Sequence, residues 1–249
     1  MSDMVMNVPR KLRRGGRAND EEDSVNSGLE LIKLMCRRFE VSDLGNLALF
    51  DMGCGVKLVQ ALLENDLPVG RYVGVDVYEA QIQYLNEQVR DSRFSFHHAN
   101  IHNEMYNPKG LPLNDQTRLP LEAASFDVIC LFSVFTHLAP HDYVAMLKLL
   151  RPYIKPGGRL LFSLFVYETT PGGHGFIDSI SKNMQLTEEQ LAAWDGPPDF
   201  RDWDPSDPLH WALYSRDNAI ALVEGTGWEI ESLNDPEEFI QHYMICRPV

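Results

Sequence analysis

The sequence predicts a doubly wound α/β fold, a mostly parallel seven-stranded sheet with helices on both faces, on three observations. Short apolar runs alternate with amphipathic helical patterns from Leu47 to Val166, the pattern of parallel strands joined by right-handed crossovers. The first two runs each end in or beside a carboxylate, Asp51 and Asp76. The first then enters a glycine-punctuated turn, Gly53-Cys54-Gly55, before a helical pattern at Leu58, Leu62 and Leu63. Such a turn sets backbone N–H groups and the positive end of a helix dipole beside the strand end, and glycine lets a ligand approach the main chain. A tight connection with no ligand has the same sequence, so both readings stand at this point.

The elements follow in order. Residues 1–25 hold a basic cluster (Arg10, Lys11, Arg13, Arg14, Arg17) that runs into Asp20-Glu21-Glu22-Asp23, and form either a flexible tail or a lid. Residues 26–249 are expected to be one domain. Leu29, Ile32, Met35, Cys36 and Phe39 share one face of a first helix from Asn26, with Ser24 or Asn26 as its cap. Strands are expected at Leu47–Met52, Arg71–Asp76, Phe94–Asn100, Phe126–Phe132 and Arg159–Val166, with helices around Ile82–Val89 and Tyr143–Leu150. Residues 101–124 are a long polar connection, of a length that is more often functional or an insertion than packed. Residues 167–213 are rich in Gly, Pro, Asp and Trp and form an insertion with a short helix near Thr187–Trp194. Its aromatics, Tyr167, Phe176, Trp194, Phe200, Trp203 and Trp211, with Tyr214 just beyond, either cap the sheet edge or make a small apolar cluster of their own. A helix at Asp217–Glu224 and strands near Trp228–Leu233 and Phe239–Cys246 complete the count.

Composition bounds the function. The 249 residues, 44% hydrophobic and 23% charged, suit one well-buried domain. A net charge of −14 opposes non-specific binding to nucleic acid. Cys36, Cys54, Cys130 and Cys246 lack metal-ligand spacing, so reduced thiols and no metal site are expected. No apolar run reaches membrane-spanning length and no signal-peptide core stands at the start, which points to a cytoplasmic protein.

In an open α/β sheet, ligands bind beyond the carboxyl ends of the strands. Here those ends supply the glycine turn, Asp76, Asn100 and Phe132-Ser133. Asp76 suits two ribose hydroxyls and opposes a 2′-phosphate. Asn100 offers a donor and an acceptor to a base edge. A nucleoside with a short polar tail fits this set. A dinucleotide turn needs a third glycine that Gly53-Cys54-Gly55-Val56-Lys57-Leu58 lacks.

That turn resembles motif I of the class I S-adenosylmethionine-dependent methyltransferases, an acidic residue followed by Gly-x-Gly-x-Gly, with Lys57 at the third glycine. Tyr72-Val73-Gly74-Val75-Asp76, Ala99-Asn100-Ile101, Ser125–Ile129 with Ser133–Leu138, Leu149–Pro152 with Lys155–Leu160, and Gly225–Trp228 are similar to its later motifs in the same order. The resemblance spans residues 28–248 and implies a sheet with an antiparallel last strand. It implies S-adenosylmethionine as cofactor, bound by Asp51, Gly53, Cys54, Gly55, Asp76, Val77, Asn100, Ile101 and Phe132.

The implied activity is methyl transfer to a small-molecule or glycan acceptor at oxygen. A hydroxyl acceptor calls for a general base. His137, just past the fourth strand, is the first candidate, against a packing or turn-capping role. His141, His174 and His210 rank behind it. Two alternatives stay open: a non-catalytic S-adenosylmethionine-binding partner or sensor, and an NAD-dependent oxidoreductase.

Overall fold

Leu44–Met52 forms β1, nine residues whose last four are all buried, as a strand covered on both faces requires. The computed structural model describes residues 6–13, 21–184, 199–203, 206–237 and 240–249. The fold is α/β with a largely parallel central sheet, helices around it and an antiparallel strand at its end. Two compact units make up the chain. They are Met1–Pro112 with Leu119–Cys130, and Leu113–Arg118 with Leu131–Val249.

In the first unit, α1 (Glu21–Phe39) precedes β1 and α2 (Lys57–Glu64) follows it. Next come β2 (Val69–Asp76), α3 (Glu79–Gln88), β3 (Phe94–His98) and β4 (Phe126–Leu131). The strands are parallel in the order β3-β2-β1-β4. The chain thus steps outward from β1 through β2 to β3 and then returns to the far side of β1. That reversal is the topological switch point at which α/β sheets bind ligands. Gly28 lets α1 lie against α2: a Cβ there would stand 2.8 Å from Ala61 Cβ and meet the Lys57 carbonyl.

One expectation changes here. α1 begins at Glu21, so Ser24 is a buried helical residue and neither it nor Asn26 caps the start. Met6, Val8 and Leu12 are buried, and the Gln81 amide donates to the Leu12 carbonyl across 2.5 Å. Within residues 6–13 the apolar side chains are packed while Asn7, Arg10 and Lys11 are exposed. Arg14 and Arg17 lie outside the described residues.

The second unit is built on β5 (Ile154–Val166), which starts five residues earlier than expected and carries Pro156-Gly157-Gly158 as extended chain. β9 (His242–Pro248) pairs antiparallel with β5, and β8 (Trp228–Asn234) pairs antiparallel with β9. The insertion supplies α5 (Phe176–Met184) and two three-residue strands, β6 (Phe200–Asp202) and β7 (Ala212–Tyr214). β7 extends the sheet parallel to β5, and β6 turns back antiparallel to it. The described residues thus carry nine strands, two more than the periodicity indicated. Phe135, Tyr143 and Phe162 stack in the core with centroids 4.1 to 5.7 Å apart, beside α4 (Pro140–Leu150) and α6 (Arg216–Ala221). Thr187–Trp194 and Phe239 lie outside the described residues. Among the described residues, no helix is long and apolar enough to cross a membrane.

Candidate functional site

The glycine turn is closed by its own backbone bonds. Gly53 and Gly55 have φ of 75° and 50°, the left-handed region that glycine enters without strain. The N–H groups of Gly53 and Cys54 both donate to the Val75 carbonyl, at 2.7 and 3.1 Å, and that of Gly55 donates to Asp76 Oδ2 at 2.9 Å. The sequence suggested bare N–H groups at this turn. At positions 53–55 they are spent on β2, so the turn holds a carboxylate in place rather than cradling a phosphate. Lys57, at the third-glycine position, opens α2 and is half-buried.

Asp76 is 7% exposed at the end of β2. Its second oxygen accepts the Tyr78 N–H at 2.8 Å, and its carbonyl accepts the Ala99 N–H at 2.9 Å. The next carbonyl, of Val77, faces His98 Nε2 at 3.2 Å. Register pairs Asp76 with His98, which brings Asn100 and the buried Ile101 to the same strand edge. Eight of the predicted residues therefore gather in the first unit: Asp51, Gly53, Cys54, Gly55, Asp76, Val77, Asn100 and Ile101.

Beneath the turn, Asp51 is buried and accepts the Tyr72 hydroxyl at 2.5 Å. Burial lifts its carboxyl to about 7, hydrogen bonds from Tyr72 and the Cys130 thiol pull it back down, and the Asp76 charge adds to the rise. Tyr72 and Cys130 were not foreseen as site residues, because both sit inside apolar runs. Gly74 was quoted only as part of a motif, yet a Cβ there would stand 2.9 Å from Cys54 Sγ.

The other two predicted residues belong to the second unit. Phe132 is half-buried and precedes Ser133, a non-glycine residue at φ 57° whose N–H donates to the buried Ser163 Oγ at 2.8 Å. His137 Nδ1 lies 3.1 Å from the Leu209 carbonyl, which assigns the proton to Nδ1 and the ring lone pair to Nε2. Burial holds the His137 ring below its ordinary value of 6.5, so the neutral form prevails at pH 7. His210 approaches it with ring centroids 6.5 Å apart and pairs with Asp207 at 2.9 Å. His141 and His174 are exposed.

The aromatics of the insertion are divided. Tyr167, Phe176, Trp203 and Trp211 pack with Phe165, Ile180 and Leu213 in one apolar cluster. Phe200 sits 5.3 Å from Tyr214, and Trp194 lies outside the described residues. Next to that cluster, Glu168, Asp235 and His242 bring ligand atoms within 4.8 Å of one another. Arg216 Nη2 already stands 2.5 Å from Glu168 and 2.7 Å from Asp235, so a guanidinium supplies the positive charge there.

Comparison with known proteins agrees with this architecture. Residues 50–162 match the family described as a methyltransferase domain. The PH0226 protein from Pyrococcus horikoshii OT3 is 16% identical, with TM-score 0.56 and 93% of each chain covered. The mitomycin 7-O-methyltransferase MmcR is 16% identical, with TM-score 0.54 over 94% of this chain and 56% of its own. The Burkholderia thailandensis 1,6-didemethyltoxoflavin-N1-methyltransferase, solved with its substrate and S-adenosylhomocysteine, is 13% identical with TM-score 0.55. It is covered to 80%, and this chain to 92%. At these identities the likeness to the solved structures is one of fold.

Proposed function

We propose that this chain, a member of the class I S-adenosylmethionine-dependent methyltransferases, methylates a small-molecule or glycan acceptor at oxygen in the cytoplasm. The observation that carries the cofactor side is Asp76, fixed by the Gly55 and Tyr78 N–H groups at the switch point of the sheet. An ionised carboxylate only accepts hydrogen bonds, and the two hydroxyls of a ribose are donors that match it. Val77 and Ile101 flank the base and Asn100 meets its edge. The Gly53–Gly55 turn would serve the aminoacid tail, with Asp51 buried beneath it as support. The turn amides at 53–55 are already occupied, which favours a ligand without a pyrophosphate over NAD. The four cysteines are free thiols, in keeping with a reducing compartment.

When bound, S-adenosylmethionine supplies an electrophilic methyl group on a sulfonium. The protein's part in an in-line displacement is to align the acceptor and exclude competing water, which contributes much of the acceleration. His137 takes the hydroxyl proton on Nε2, while the Leu209 carbonyl holds Nδ1–H and thereby the tautomer. Among the proteins of like fold, one is named for transfer to oxygen and one for transfer to nitrogen, both on small molecules. The neutral, half-buried His137 favours oxygen, because an amine needs deprotonation less than a hydroxyl does.

The test is a panel of phenols, sugars, small amines, peptides and RNA, with S-adenosylhomocysteine release as the readout. Turnover on a hydroxyl compound is expected. Transfer confined to amines, peptides or RNA would sink the acceptor assignment. Calorimetric binding of NAD without S-adenosylmethionine would sink the cofactor assignment as well. Cofactor binding with no turnover across the panel would favour the non-catalytic alternative.

A further inference from the structure

The base edge at Asn100 carries an orientation that follows from atoms that can only accept. The Ile101 carbonyl is an acceptor, so the Asn107 side-chain atom 3.0 Å away is its Nδ2. The second hydrogen of that nitrogen points to the Asn100 side chain at 3.2 Å, so the atom it meets is Oδ1. Asn100 is thereby fixed with its carbonyl toward Asn107 and its Nδ2 hydrogens turned away, on an exposed residue at the strand edge.

Asn107 is itself held by the loop it belongs to. It exchanges backbone hydrogen bonds with Asn103 at 2.9 and 3.1 Å, and its carbonyl accepts the Gly110 N–H at 3.0 Å. The Asn103 side chain caps the same loop by accepting from Met105 and Tyr106 N–H at 3.1 and 3.0 Å. The neighbouring backbone donors are already engaged. Ile101 N–H donates to Ala99, His102 N–H to Leu111 and Asn103 N–H to Asn107, at 2.7, 2.8 and 3.1 Å. The Asn100 amide nitrogen is a side-chain donor that this edge can give.

We infer that Asn107 turns Asn100 to present N–H to the nucleoside base, so that Asn100 reads a ring nitrogen of adenine and leaves the 6-amino group unread. The inference rests on the proposal that Asn100 meets the base edge. An aspartate in the same place could only accept, and would read the amino group instead.

The probes are S-adenosylhomocysteine, its analogue with hydrogen in place of the 6-amino group, and its 1-, 3- and 7-deaza analogues, bound by calorimetry to the full chain. The wild type should bind the desamino analogue within about threefold of S-adenosylhomocysteine, and one of the deaza analogues about tenfold more weakly. Asn100→Asp should bind the desamino analogue about tenfold or more below S-adenosylhomocysteine, since a charged acceptor then loses its donor. Asn107→Leu frees the amide to turn and should move the wild-type ratio toward that of Asn100→Asp. If Asn107→Leu unfolds, the wild-type and Asn100→Asp ratios decide alone. Wild-type protein that binds S-adenosylhomocysteine but loses about tenfold on the desamino analogue, or tolerates all three deaza analogues, overturns the inference and leaves the cofactor reading standing. Folded wild type that binds none of the series overturns both.

Discussion

The Tyr72 hydroxyl donates to the Asp51 carboxylate across 2.5 Å, and both groups are buried beneath the glycine turn. The donors to Asp51 in this pocket, Tyr72 and the Cys130 thiol, are neutral, and Asp76 adds a like charge. A carboxylate without a cation keeps its proton. With Asp51 at about 7 in the fold against 3.8 ordinarily, the folded chain holds a proton between those values that the unfolded chain releases. Stability from this group is therefore full below 3.8 and is lost as pH rises through about 7. Asp51→Asn mimics the protonated form. It should be more stable than wild type by about 1–2 kcal/mol at pH 8, with the gap shrinking at pH 5. Urea unfolding at the two pH values checks this, and an equal gap at both would show that Asp51 is charged throughout.

Asp76 depends on backbone donors, so its removal and the distortion of its turn should act alike on cofactor binding. Asp76→Ala removes the hydroxyl acceptor and should weaken S-adenosylhomocysteine about a hundredfold, two charge-assisted hydrogen bonds being lost. Gly55→Ala meets no steric neighbour, so its cost comes from φ of 50° alone, about 1 kcal/mol. That strain should pull the Gly55 N–H from Asp76 and weaken binding by about threefold to tenfold. Calorimetry on both variants measures it. Unchanged affinity in Asp76→Ala would remove the ribose role.

The frame of this site was legible because strand ends announce themselves. The run ending at Asp76 is short and apolar and the one near Asn100 starts with apolar–polar alternation, and the turn residues lie beside the first strand in sequence. What supports them was not legible. Tyr72 lies 21 residues from Asp51, and its hydroxyl is hidden in a run that reads as plain core. Asn107 orients Asn100 from within a loop whose polar composition carries no periodicity. The insertion misled for another reason. β6 and β7 are three residues each, too short for alternation to show, and α5 begins just past Gly172, Gly173 and Gly175, which read as loop.

His137 makes a prediction about rate rather than binding. Burial lowers its value below 6.5, so the ring is already neutral at pH 7, and activity that uses it as the proposed base should fall only as pH drops beneath that point. His137→Ala should reduce turnover about a hundredfold or more while S-adenosylhomocysteine affinity stays within about threefold. Undiminished turnover on a hydroxyl acceptor would return His137 to a packing role.

Gly28 sets helix propensity against packing. Alanine is favoured over glycine in a helix interior by about 1 kcal/mol, which alone would stabilise α1. The added Cβ would stand 2.8 Å from Ala61 Cβ and press on the Lys57 backbone carbonyl, which cannot swing aside like a side chain. Overpacking of this kind costs about 1–3 kcal/mol and should win. Gly28→Ala is expected to lower the midpoint of thermal unfolding, and because α2 follows the glycine turn, to weaken S-adenosylhomocysteine as well. A raised midpoint would show that α1 and α2 have room to separate.

In the second unit, the Glu168–His242–Arg216–Asp235 group should behave as a structural tie whose strength depends on pH. His242 is fully buried at the start of β9, and its Nε2 meets Glu168 Oε1 at 2.8 Å. Arg216 grips the same carboxylate through Nε and Nη2 and reaches on to Asp235. Burial alone would raise Glu168, but the hydrogen bonds from His242 and Arg216 outweigh it and hold the carboxyl down at about 2. A depressed acid stabilises the fold above its ordinary 4.5, and the contribution is lost as pH falls toward about 2. Glu168→Gln keeps the shape and one acceptor but removes the charge that faces the Arg216 guanidinium. It should cost about 2 kcal/mol at pH 7 and much less at pH 3, where the wild type is losing the same interaction. Because the tie joins β9 and α6 to the segment after β5, Arg216→Lys should show a smaller loss, one ammonium replacing a two-point grip. Unfolding by urea at both pH values separates the cases, and a Glu168→Gln penalty as large at pH 3 as at pH 7 would show that the loss is one of packing rather than charge.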